Sequence, residues 1–219
     1  MHMEQTNIDA LFAAPDRRME TVRKWLRYLL IVHIVMLSFS ALRNVVNFGK
    51  LYNWINAALD VAAIFCLLQL RKENRLYTLA AGLLIVNIVT DLIGYDYITY
   101  HLLFIIRNVE LAQNFFQIVS YAGIACVLGA IAAEYVAHSR LIQNTDPKLR
   151  KWWLWLLAAQ LAVSVISSVL GSVLAELINA GTLSVMTYQK YIYPFLRLAG
   201  IVVSVLYMIC LYKTERKLR

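Results

Sequence analysis

Long apolar stretches alternate with short polar and basic ones along the whole chain. Six stretches are long enough, or nearly so, for the roughly 20 apolar residues that a bilayer-crossing helix requires. They run Trp25–Phe48, Asn53–Leu70, Leu76–Gly94, Leu111–Val136, Trp152–Ile178 and Tyr191–Tyr212. The pattern predicts an all-α integral membrane protein with six transmembrane helices. The short alternating segments of a transmembrane β-barrel are missing from this pattern. The first run is too long for the core of a secretory signal.

Two apolar stretches echo each other. Residues 29–35 read LLIVHIV and residues 83–89 read LLIVNIV, differing only at His33 and Asn87. In the same register Arg17-Arg18 falls on Arg71-Lys72. A third echo pairs Arg23-Lys24-Trp25 with Arg150-Lys151-Trp152 and puts His33 over Gln160. The second helix of each pair ends in a basic or polar segment: QLRKENR, YVAHSR and CLYKTERK. The chain therefore reads as three tandem helical hairpins in one membrane domain, at about 15–75, 76–140 and 146–219. Repeats of equal orientation imply an axis along the membrane normal.

Composition agrees with this reading. Of 219 residues, 61% are hydrophobic and 16% charged, and the mean hydropathy is +0.62. A soluble domain is nearer a quarter charged. Charge also sets the expected orientation. The chain has 21 Lys and Arg residues. The predicted outer flank holds only Arg43, Lys50, Arg107 and Lys190, Arg197 falls inside the sixth span, and the rest lie on the other flank. The positive-inside rule then puts both termini in the cytoplasm of a cell, plasma or inner, membrane. The net charge of +8 follows from this topology and from attraction to anionic headgroups, so nucleic acid is not an expected partner.

Aromatic residues at span ends read as membrane anchors: Trp25, Trp152, Trp153 and Trp155 on the inner side, Trp54 and several tyrosines on the outer. Cys66, Cys126 and Cys210 fall inside spans as small apolar fillers. No cofactor or metal motif stands out.

Polar residues within the spans are the candidate chemistry, because each must find a partner in hydrocarbon. His33 lies nine residues past Lys24, and Asp60 eleven before Arg71. At about 1.5 Å per residue the two share a depth and are expected to approach each other. Asp91 and Arg197 share a depth in the outer half and are expected to pair. Asn87 and Gln160 complete a polar tier with His33 and Asp60, and are expected to bond across helices. Glu134 and Glu110 fall near span ends and are expected to reach the headgroups.

Small residues recur every fourth position at Ala125, Gly129 and Ala133, at Ala122, Cys126 and Ala130, at Ser164, Ser168 and Ser172, and at Gly200 and Ser204. Such spacing lets helices approach closely and also suits an oligomer face. Asp146 and Pro147 are expected to cap and start the fifth span, with a similar start at Pro15-Asp16. Residues 7–14, NIDALFAA, read as a short amphipathic turn lying on the membrane. Residues 95–110 are too apolar for a free loop and too short to span, so an interfacial or re-entrant segment is expected there.

Three functions fit these features. The first is a transport-type protein binding a small solute or ion at His33, Asp60, Asn87 and Gln160, with Asp91 and Arg197 above as a latch. The second is a non-catalytic scaffold or accessory subunit, as a homo-oligomer or with a partner membrane subunit. The third is an intramembrane lipid-modifying enzyme using His33 and Asp60 as base and orienter. The phosphate loop, the HExxH zinc site and the GxSxG elbow are not found in the sequence.

Overall fold

The computed structural model describes residues 2–42, 48, 51–93, 96–181, 184 and 193–218. Among these residues there are seven helices: α1 (His2–Leu42), α2 (Leu51–Leu70), α3 (Arg75–Ile93), α4 (Asp96–Ile106), α5 (Val109–Leu141), α6 (Pro147–Asn179) and α7 (Tyr193–Lys217). All except α4 contain a segment long and apolar enough to cross a membrane. This fits a polytopic membrane protein. An outer loop is expected from the sequence near Gly181 to Tyr193, and most of it, with the basic residues Arg43, Lys50 and Lys190, lies outside the described residues.

The spanning helices pack in chain order. α1 contacts α2, α2 contacts α3, α3 contacts α5, α5 contacts α6, and α6 contacts α7. α7 then returns to α1. The result is a closed ring of six helices, with α4 against α3 and α5. Large apolar side chains such as Ile34, Phe65, Val86, Ile118, Val165 and Val202 are exposed. In water such a surface would aggregate, whereas in a bilayer it is the solvent-facing side.

Buried residues concentrate where the basic segments converge. One continuous cluster joins Leu26 and Leu29 of α1, Leu67 and Leu70 of α2, Tyr77 and Ala81 of α3, Ala133 and Ala137 of α5, Trp153 and Leu156 of α6, and Tyr207 and Leu211 of α7. This end of the ring is also stitched by ions. Arg18 meets Glu73 through two hydrogen bonds of 2.8 and 3.0 Å. Arg27 and Arg23 lie 2.8 and 3.5 Å from the buried Glu215, joining α1 to α7. Lys217 lies 3.2 Å from Asp146, joining α7 to the start of α6.

Close contact between α3 and α5 depends on small residues. A methyl group at Gly129 would stand 3.0 Å from Leu83 Cδ1, and one at Gly123 only 2.8 Å from Thr90 Oγ1. Gly129, Ala130 and Ala133 belong to the small-residue series. Gly123 does not, and the fold makes it the tightest of the described glycines.

Two local expectations change. α1 runs unbroken back to His2 through Pro15, with no new start at Pro15-Asp16 and no separate turn at residues 7–14. A proline inside a helix removes one N–H donor but keeps a helical φ, so a long helix passes it. The segment after α3 is the eleven-residue helix α4. At about 1.5 Å per residue it is too short to cross a bilayer. It ends at Arg107, whose φ of 52° is in the left-handed region, and Asn108 then caps α5 by accepting from the Leu111 N–H.

Asp146 caps α6 as its position suggested. Its Oδ1 accepts from the N–H groups of Lys148 and Leu149 at 3.1 and 3.0 Å. The Leu149 N–H, followed by the Lys217 side chain, holds its carboxyl below the ordinary value of 3.8. A depressed folded-state pKa stabilises the fold fully above 3.8, and that contribution fades as pH falls through the lower folded value. Asp146→Ala is therefore expected to lower the melting temperature near neutral pH. The gap from wild type should narrow as pH falls below 3.8. Melting curves against pH check this, and a gap independent of pH would remove the ionised cap from the account.

Candidate functional site: a six-helix polar cavity

Glu134 lies about two turns before the end of α5, and the ring closes over it. It is only 7% exposed, so its expected reach to the headgroups is not what the structure shows. Tyr207 of α7 donates its hydroxyl to Glu134 Oε1. His138, one turn further along α5, places Nε2 3.4 Å from the same oxygen. On the other side of the imidazole, Nδ1 is 2.9 Å from the Tyr77 hydroxyl of α3. With Nε2 protonated, every contact has one donor and one acceptor: Tyr77 to His138, His138 to Glu134, and Tyr207 to Glu134. The chain ties α3, α5 and α7 together.

Aromatic rings enclose this chain. Trp153 stacks on His138 with ring centroids 4.7 Å apart, and meets Tyr135 and Tyr207 edge-on at 5.5 Å. Its indole N–H donates to Thr214 at 2.9 Å. Trp153 is fully buried and is no membrane anchor. Its neighbours Trp152 and Trp155 are exposed, as a belt requires. On a helix, residues three apart share a face, while the residue between them turns away by about 100°.

Above Glu134 and Tyr207 lies a cavity of about 460 Å³. Every spanning helix contributes a polar side chain to it: His33 from α1, Asp60 from α2, Asp91 from α3, Glu134 from α5, Gln160 from α6 and Tyr207 from α7. His33 and Asp60 share this lining, yet no hydrogen bond joins them. The His33 ring instead packs edge-on against Tyr207 at 4.6 Å.

The remaining candidates are dispersed. Asn87 donates to Asp91 at 3.1 Å along α3, and Gln160 approaches Ser164 at 3.5 Å along α6. Residues four apart on one helix are stacked neighbours, so these amides find partners without crossing to another helix. Asn87 lines a second cavity of about 840 Å³, together with Thr90, Thr99, Ser120 and Ser164. Asp91 borders both cavities. Arg197 donates to the Ser40 carbonyl at 2.7 Å. Asp91 has Asn87 as its hydrogen-bond partner, so the expected Asp91–Arg197 pair is not formed.

Of the residues singled out in the sequence, His33, Asp60, Asp91 and Gln160 line this cavity, whereas Glu134, His138, Tyr77, Tyr207 and Trp153 were not proposed as part of a site. The missed residues lie near span ends, where polar and aromatic side chains ordinarily meet headgroups. The spacing of Glu134 and His138 was one available signal, since residues four apart share a helix face.

No protein-family model matches this chain, and no curated protein or solved structure matches it either.

Tyr207→Phe leaves Glu134 with His138 as its hydrogen-bond partner. It is expected to lower unfolding stability by about 1.5–3 kcal/mol, the usual worth of a hydrogen bond to a charged group. Denaturant unfolding in detergent measures this. A variant as stable as wild type would show that the hydroxyl does not hold the carboxyl.

Proposed function

We propose that this is a transport-type membrane protein that binds a small solute or ion in the central cavity. The observation that carries the reading is the convergence of polar side chains from all six spanning helices on one space within an otherwise apolar bundle. Ionisable groups inside a membrane protein are costly to keep and mark solute or proton pathways more often than packing. The cavity falls within the 300–1,000 Å³ range of small-molecule sites at about 460 Å³.

In this reading the chain forms three tandem hairpins in a plasma or inner membrane, with both termini in the cytoplasm. Packing of helices in chain order and the LLIVHIV and LLIVNIV echo support the hairpins. The gathering of Arg18, Arg23, Arg27 and Lys217 at one end of the ring supports the orientation. The tightly packed, ion-stitched end is then the inner end, and the cavity lies above it.

A scaffold or accessory role is the second reading. It draws on α4, where Tyr100, Phe104 and Ile105 are all about 70% exposed and would suit either the headgroup region or a partner subunit. The enzyme reading loses its main support, because His33 and Asp60 are not hydrogen-bonded as base and orienter.

Green fluorescent protein fused to either terminus is expected to fluoresce, and alkaline phosphatase fused there to stay inactive in a bacterial host. An active phosphatase at either terminus would reverse the orientation.

Binding is tested by thermal unfolding of the detergent-purified protein across a panel of ions, metabolites and lipids. A His33→Leu, Asp60→Asn double variant is run beside it. At least one solute is expected to raise the native melting temperature by about 5 °C at saturation and to leave the variant unmoved. If no solute moves the native protein, the polar tier is structural and the scaffold reading takes over.

A further inference from the structure

The lining of the central cavity bears on which solutes it takes. Among the described residues that line it, three are carboxylic acids, Asp60, Asp91 and Glu134, and none is Lys or Arg. Its other titratable groups are His33, Tyr135 and Tyr207. In the outer half, the guanidinium of Arg197 is held by the Ser40 carbonyl and does not line the cavity.

The three acids differ in their partners. Asp91 accepts from Asn87. Asp60 takes part in no hydrogen bond or ion pair among the described residues. Glu134 is the most informative. Tyr207 and His138 both address Oε1, which leaves Oε2 without a donor. The residue is more than nine-tenths buried and lines the cavity. Oε2 is not among the fully buried atoms that lack a partner, so it keeps access to this space, where a donor-free carboxylate oxygen attracts a cation.

We propose that the central cavity binds a small organic ammonium ion, with Glu134 Oε2 as its direct partner and Asp60 and Asp91 supplying further negative charge around it. This rests on the reading of the cavity as a solute site.

Geometry favours an organic cation over a bare metal ion. No three His, Cys, Asp or Glu residues among those described stand close enough together to hold a metal. The acids are instead distributed around about 460 Å³, many times the volume of one water molecule. Tyr135 and Tyr207 have ring centroids 5.2 Å apart, and the His33 ring stands 4.6 Å from that of Tyr207. Aromatic faces beside carboxylates are the lining that alkylammonium groups select.

The test uses the full chain in detergent, with thermal unfolding as the readout. Choline and putrescine are the cationic probes. Uncharged 3,3-dimethylbutan-1-ol copies the shape of choline, butyrate supplies a negative charge, and sodium chloride controls for ionic strength. A cationic probe is expected to raise the melting temperature by about 5 °C at saturation, with no shift from the other three. Glu134→Gln keeps an acceptor at Oε1 and puts an N–H in place of Oε2, and it is expected to abolish the shift. Asp60→Asn is expected to cut the shift by at least half. Because Asp60 makes no hydrogen bond, that variant remains a folded test if Glu134→Gln does not fold.

An equal shift from 3,3-dimethylbutan-1-ol or butyrate would overturn the cation class and leave the solute site standing. An equal shift from sodium chloride would overturn the organic class. If neither cation acts while a solute of the broader panel does, the cation class alone fails. If nothing in either set acts, the cavity is not a solute site and both readings fail.

Discussion

A carboxyl group buried among packed helices has to be solvated by the protein itself, and the whole basic end of this bundle is organised around that requirement at Glu134. In water the group would be solvated at no structural cost. Here Tyr207 and His138 replace the water, and Tyr77 in turn satisfies the far nitrogen of His138. Tyr207 and Tyr77 come from α7 and α3, so the hydrogen bonds also set which helices stand beside α5. The same low polarity that makes an unpartnered group costly makes these satisfied contacts strong. Trp153 covers the arrangement and binds Thr214 through its indole N–H, bringing α6 into the same unit.

This closure of the basic end has a consequence for the other half of the ring. Leu, Ala and aromatic side chains fill the basic end, and Arg18, Arg27 and Lys217 pair with Glu73, Glu215 and Asp146 around its rim. Above Glu134 the lining turns polar, and polar side chains from all six spans bound an open space. A ring of six helices has a wider middle than a four-helix bundle, and small or polar side chains there leave it unfilled. The result is a closed end below an open cavity. Asp91 stands where this space and the larger neighbouring cavity meet, which makes α3 the wall common to both.

Much of this was legible in the residues. Apolar run length located all six spanning helices, because hydrocarbon thickness dictates helix length. The cap at Asp146 was legible because capping is a matter of neighbouring residues. His33, Asp60, Asp91 and Gln160 were found because a polar residue in mid-span is conspicuous. Glu134 was not conspicuous, since near a span end a glutamate ordinarily meets water. Trp153 was hidden by the company of Trp152 and Trp155, although helical geometry forbids all three from facing one way.

Sequence alone thus determined the number of helices long and apolar enough to span, their approximate limits and the place of each polar group along its helix. These are local or one-dimensional quantities, set by transfer of side chains between water and hydrocarbon. Tertiary structure decided which polar groups meet. It gave Arg197 the end of α1 instead of Asp91, gave Asn87 a neighbour on its own helix, and brought Tyr77, His138 and Tyr207 to Glu134. Depth is fixed by position along a helix, but partnership also depends on the rotation of each helix about its axis. That rotation is settled only when all six helices pack, with small residues such as Gly123 and Gly129 letting α3 and α5 come close enough to close the ring.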